Sequence, residues 1–170
     1  RAMNHMKNEK LWLEAHQYYP DLDESKLTSI FYFTLIWNLF EKNCCDENAQ
    51  INEHAPGLAV SHSESISELP SIWRHFQTRY VHDGETTSTF DSFEFKSGDK
   101  KDVVKRILLE GESSSNQEKM EALLRIAFRL RNNLYHGEKE VSKLYDQNEN
   151  FKQINRLLMA LIDAKGLPHD

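Results

Sequence analysis

The segment from Ser115 to Gly137 limits the fold of this chain more than any other. Met120, Leu123, Leu124, Ala127, Leu130 and Leu134 recur every three or four residues, which places them on one face of an α-helix. Ser115, with Glu118 three residues on, forms a capping-box start, and Gly137 supplies the left-handed stop. The pattern predicts a helix from Ser115 to Tyr135 or His136. At about 100° per residue, Arg131 falls near the middle of the apolar stripe, whereas Arg125 and Arg129 point to the polar side. A guanidinium on an apolar face is costly unless it is paired or opens to a wet cleft. Arg131 therefore needs a partner or a task.

Helical spacing recurs elsewhere. Lys7 to Tyr19 carries Leu11, Trp12, Ala15 and Tyr18, and Pro20 ends it. Asp21 with Glu24 resembles a second capping box and opens a long helix from Leu22 to Cys44. Between Ile30 and Phe40 that helix is apolar over most of its circumference, as a central bundle helix would be. From Asp46 to Glu68, polar residues with Pro56 and Gly57 read as a loop or insertion. Pro70 suits a helix first turn, with Ile72, Trp73, Phe76 and Tyr80 on one face. Gly84 to Gly98 is rich in Thr and Phe and predicts a short hairpin. Helix resumes over Lys101 to Glu110, and a last helix over Gln147 to Ala164 ends at Gly166 and Pro168. The expectation is one all-α domain over residues 1–170, with 46–99 an irregular insertion.

Composition narrows the class. The chain has 170 residues, 39% hydrophobic and 28% charged, enough for a single packed core rather than a disordered chain. No run approaches the roughly 20 apolar residues of a membrane helix, and no basic-then-apolar leader is visible. The only cysteines are the neighbours Cys44 and Cys45, too few for a disulfide scaffold. A reduced, cytoplasmic protein is the expectation. The net charge of −6 opposes broad coating of nucleic acid but leaves room for a local phosphate site.

His136 lies five residues beyond Arg131, about 140° around the helix, so the two do not stack as an i,i+4 pair. A long Arg side chain and the glycine stop still let them converge on one ligand. The helix C-terminus favours imidazolium and keeps His136 titratable near neutral pH. Asn132, four residues before His136, is placed to orient the ring or a phosphate oxygen. Spacing alone carries little information in a chain with eight histidines. The full string Arg131-Asn132-Asn133-Leu134-Tyr135-His136-Gly137, closing the penultimate helix, carries more.

That string resembles the signature of the HEPN superfamily, an Arg, four to six residues, then a His. The resemblance covers roughly Ser115 to Ala164, and the aromatic helix at Ser29 to Phe40 is compatible with an early bundle helix of that family. It implies a bundle of four or five helices that forms a homodimer with two motifs facing one cleft. It also implies metal-independent, cofactor-free endoribonuclease activity, often in toxin–antitoxin or phage-defence systems. RNA and an antitoxin are then the expected partners, and a membrane is not. Carried over, Arg131 stabilises the phosphate, His136 is the general acid or base, and Asn132 assists. Tyr135 and Lys139 stand near enough to contact RNA, though the family pattern gives them no role. Metal-free RNA cleavage needs one group to take the 2′-hydroxyl proton, one to protonate the leaving oxygen, and a cation over the phosphate. One Arg and one His from each of two chains supply that set, leaving a 2′,3′-cyclic phosphate and a 5′-hydroxyl.

Plainer readings stand beside this one. A buried Arg131 bonded to a carboxylate or to carbonyls, with His136 a C-terminal helix cap, needs no enzyme. A non-catalytic HEPN domain serving dimerisation, nucleotide sensing or protein interaction keeps the same fold. His54, His62, His75 and His82 lack tight metal-ligand spacing, and His75 with Arg79 reads as a solvated helix face. Glu110, Glu112 and Glu118 read as a solvated acidic rim. Phe90, Phe93 and Phe95 are expected to pack on the bundle rather than to stack bases.

Overall fold

The computed structural model of the chain describes residues 8–15, 21–134 and 141–166, with Val141 as backbone only. Within them the chain is all-α apart from one two-stranded turn. The helices are α1 (Glu9–Glu14), α2 (Thr28–Cys44), α3 (Ile51–His62), α4 (Leu69–Tyr80), α5 (Ser88–Asp91), α6 (Lys101–Glu110), α7 (Asn116–Leu134) and α8 (Val141–Ala164). Strands β1 (Val81–His82) and β2 (Glu85–Thr86) pair antiparallel between α4 and α5.

The centre of the bundle is α7. Met120, Ala122, Leu123, Leu124, Ile126, Ala127, Phe128 and Leu130 are all buried, as α3, α4, α6 and α8 pack around it. Its start is the predicted capping box: the Ser115 hydroxyl accepts from the Glu118 N–H at 3.1 Å, and Glu118 accepts from the Ser115 N–H at 3.1 Å. The second frame is α2 against α8, running parallel, with the Phe33 and Phe151 rings edge to face at 4.7 Å. Asn148 and Asn155 of α8 fasten the backbone of Ser29 at the head of α2.

Several expectations are corrected. Residues 46–68 are not a loop, because α3 occupies 51–62 and packs along α7 through Ala55, Leu58 and Ala59. Pro56 and Gly57 disguise it. Proline interrupts only one intrahelical hydrogen bond, and the two small alanines permit close approach to α7. The insertion at 46–99 is therefore largely structured. The hairpin is shorter and earlier than Gly84 to Gly98: it turns on Asp83 and Gly84, both at positive φ, and α5 follows it. Helix α8 starts at Val141, not Gln147. Leu144 and Tyr145 extend its inner face, and the Tyr145 hydroxyl accepts from the Asp23 N–H at 2.8 Å. Helix α2 is not central. Ile30, Phe33, Trp37, Phe40 and Cys44 face inward, while Phe31, Tyr32, Leu35 and Leu39 are 50–66% exposed on its outer side.

The predicted polar side of α7 is also corrected. Arg125 and Arg129 are 0% and 1% exposed, because α3 and the loop before α6 cover that side. Both are paired. Arg125 Nε and Nη2 donate to Glu121 Oε1 at 3.1 and 3.0 Å, and its Nη1 donates to Asn52 Oδ1 of α3 at 2.9 Å. Arg129 Nη1 meets Asp99 Oδ2 at 2.7 Å. Phe90 and Phe93 are buried beside Tyr80, and Phe95 packs on both, as expected. No helix among the described residues is long and apolar enough to cross a membrane.

Candidate functional site

The last turn of α7 carries the site that the sequence singles out. Arg131, Asn132, Asn133 and Leu134 are half-buried there. Arg131 is thus less buried than Arg125 or Arg129, reversing the order expected from the helix wheel. Leu134 still packs on the core, so the apolar stripe reaches the end of the helix.

The surroundings of Arg131 differ in kind from those of the two deeper arginines. Its guanidinium carbon lies 5.6 Å from the centroid of the Trp37 ring, and Nη1 donates to Asn132 Oδ1 at 3.1 Å. No carboxylate among the described residues lies within ion-pair distance of it. Both of its contacts are neutral: an aromatic face and a side-chain amide. The cation–π contact orients the guanidinium without cancelling its charge. Trp37 is fixed in turn, since its Nε1 donates to Glu41 Oε2 at 2.7 Å and Phe128 of α7 packs against it edge-on at 5.1 Å. Sequence reading missed Trp37 because it sits within an apolar run where every residue looks like core.

Asn132 meets Arg131 rather than a histidine ring among the described residues, and their hydrogen bond occupies its carboxamide oxygen. Tyr135, His136 and Lys139, together with the Gly137 stop, lie outside the described residues. The described histidines are dispersed. His54 Nδ1 accepts from the Gln50 N–H at 2.9 Å at the start of α3, and exposed His82 lies beside Asp83 at 3.0 Å. Burial lowers the pKa of His62 from its ordinary value. His75 is not on a solvated face: its Nε2 is 2.8 Å from Asn150 Oδ1 in the α4–α8 seam. Asn150 is itself fully buried and donates to Gln147, so His75 forms part of a packed polar contact. Among the described residues, no group of three or more His, Cys, Asp or Glu side chains is placed to hold a metal ion.

The acidic rim is partly neutralised. Arg106 Nη1 bonds both oxygens of Glu110 at 2.9 and 3.0 Å and reaches Glu118 at 3.2 Å, while Lys119 meets Glu112 at 3.2 Å. Cys44 and Cys45 are free thiols, both buried at the end of α2. Burial raises both pKa values, that of Cys45 to about 12, so neither is an activated nucleophile. Comparison with protein-family models, with curated proteins and with solved structures finds no match to this chain.

Proposed function

We propose that this chain is a metal-independent endoribonuclease of HEPN type, working as a homodimer in which the Arg131–His136 motifs of two copies share one cleft. One observation carries the reading. Of the three arginines in the second half of α7, two are buried against carboxylates, and Arg131 alone rests on neutral groups at the helix end. A positive charge held in place, with no counter-ion among the described residues, suits an anionic ligand.

In this reading Arg131 bonds the non-bridging oxygens of the scissile phosphate, and Asn132 aims the guanidinium. His136 of one copy takes the 2′-hydroxyl proton, and His136 of the other protonates the departing 5′-oxygen. Tyr135 and Lys139 contribute RNA contacts. The exposed face of α2, with Phe31, Tyr32, Leu35 and Leu39 and no charged residue from Thr28 to Phe40, supports a second copy as the partner. Such an enzyme fits the role of a toxin or defence effector held in check by an antitoxin.

The net charge of −6 favours a second reading, a non-catalytic HEPN domain used for dimerisation, nucleotide sensing or protein interaction. The two part on one assay. Purified chain incubated with single-stranded and transfer RNA in EDTA gives fragments ending in 2′,3′-cyclic phosphate if the first reading holds. Intact RNA under those conditions favours the second.

A further inference from the structure

On the side of α7 turned away from Arg131, the chain builds a second cationic feature. Two adjoining hollows of about 700 and 550 Å³ share Asp91, Phe95, Lys96 and Lys101. The first reaches the head of α6, where Lys100 and Lys105 line it, and the second reaches Arg129 and Asn133 on α7. Arg129 and Asn133 are four residues apart and share a helix face, whereas Arg131 lies about 200° from each. The two sites therefore do not overlap.

Charge and hydrogen bonding there favour an anion. Five cations line the hollows, Lys96, Lys100, Lys101, Lys105 and Arg129, against three carboxylates, Asp91, Glu94 and Asp102. Asp99, which pairs with Arg129, brings the carboxylates to four and leaves one positive charge in surplus, in a chain of net charge −6. The Asp91 carboxylate already accepts from the Thr86 hydroxyl at 2.8 Å. Asp99 lies behind the lining, where it holds Arg129 Nη1 at 2.7 Å and the Lys96 N–H at 2.9 Å. Lys101 gives two of its three N–H donors to the Asp91 and Phe93 carbonyls and sits over the Phe90 and Phe95 rings. Lys96, Lys100 and Lys105 are exposed and form no ion pair among the described residues.

Arg129 supplies an independent indication. It is 1% exposed, it lines the second hollow, and its Nε is a buried donor with no partner among the described residues. A buried N–H of this kind is costly unless something accepts from it. The head of α6 adds further donors, since Lys100 caps it without a side-chain hydrogen bond and the helix dipole favours negative charge there.

We infer that the hollow between the 92–99 loop, the head of α6 and the Arg129–Asn133 face of α7 binds a phosphate group, carried either by a free nucleotide or by an RNA strand. Its ligands are Lys96, Lys100, Lys105 and the Arg129 guanidinium, with the third N–H of Lys101. The site stands apart from the nuclease reading, because it uses neither Arg131 nor His136.

The test is an amide NMR titration of the full chain with three probes: inorganic phosphate, 5′-AMP and a single-stranded oligoribonucleotide blocked by 2′-O-methylation. Phosphate is expected to shift the amides of Gly98, Lys100 and Lys101 in a saturable way, with a dissociation constant on the order of 1 mM. Tighter binding of 5′-AMP than of the oligonucleotide assigns the site to free nucleotides, and the opposite order assigns it to RNA. The exposed double variant Lys100→Glu/Lys105→Glu, which leaves the core untouched, is expected to weaken binding about tenfold or more. Failure of all three probes to saturate, or equal affinity in the double variant, overturns the proposal whether or not the chain cleaves RNA.

Discussion

The Arg131 guanidinium lies over the face of Trp37, 5.6 Å from the ring centroid, while the indole Nε1–H of that ring is bonded to Glu41. The tryptophan thus joins the end of α7 to α2 and holds a cation whose charge no described carboxylate meets. Stability and function should then separate at α7. Arg131→Ala removes a half-buried contact and should cost about 0.5–1 kcal/mol. Asp99→Asn leaves Arg129 buried without a counter-charge and should cost about 3–5 kcal/mol. Urea denaturation of the two variants checks the order; an Arg131 variant as damaging as the Asp99 variant contradicts it.

The start of α7 gives a second prediction. Ser115 and Glu118 satisfy each other's backbone N–H groups, and the Ser115 N–H, followed by Arg106, lowers the Glu118 pKa. Ser115→Ala should cost about 1 kcal/mol in thermal or chemical denaturation. A stability equal to that of the parent chain would show the box to be idle.

The alkaline limb of stability follows from buried acids. Burial, then the neighbouring Cys44, raises the Cys45 pKa from 9.0 to about 12, and burial raises the Tyr80 pKa from 10.0 to about 12. The folded state holds these protons more tightly than the unfolded chain does. Their contribution is therefore fully present below about pH 9 and is lost as pH rises toward 12. Denaturation midpoints should fall steadily over that window. Cys45→Ala combined with Tyr80→Phe should flatten the fall, and an unchanged slope in that variant contradicts the assignment.

The outer face of α2 makes an oligomer testable. Leu35 is 66% exposed at the middle of the Phe31, Tyr32 and Leu39 patch. Leu35→Glu should convert a dimer to a monomer in analytical ultracentrifugation with little change in melting temperature. A parent chain that sediments as a monomer at micromolar concentration removes α2 as the dimer face.

Much of the architecture was legible because several helices announced their own starts. Ser115 with Glu118, Pro70 in a first turn, and the Lys101–Glu110 spacing all fall where the structure has them. What escaped did so through packing. Helix α3 hides behind Pro56 and Gly57, and once it is missed, the α7 face bearing Arg125 and Arg129 looks solvated. The salt bridge from Arg129 to Asp99, 30 residues away, and the hydrogen bond from Arg125 to Asn52, 73 residues away, cannot be read from local periodicity. Helix α2 misled in the opposite direction, since an all-round apolar helix reads as central when one face is in fact free. At the candidate site, Arg131 and Asn132 were legible as residue types, but Trp37 was not, because nothing in the sequence distinguishes it from its core neighbours.

The most direct test of the account compares RNA cleavage in EDTA by the parent chain, Arg131→Ala and His136→Ala, each checked for an unaltered helical circular-dichroism spectrum. The expected result is cleavage by the parent to 2′,3′-cyclic phosphate ends, a loss of about a hundredfold or more in either variant, and no rescue by added divalent metal. Cleavage at the parental rate in a folded His136→Ala protein contradicts it.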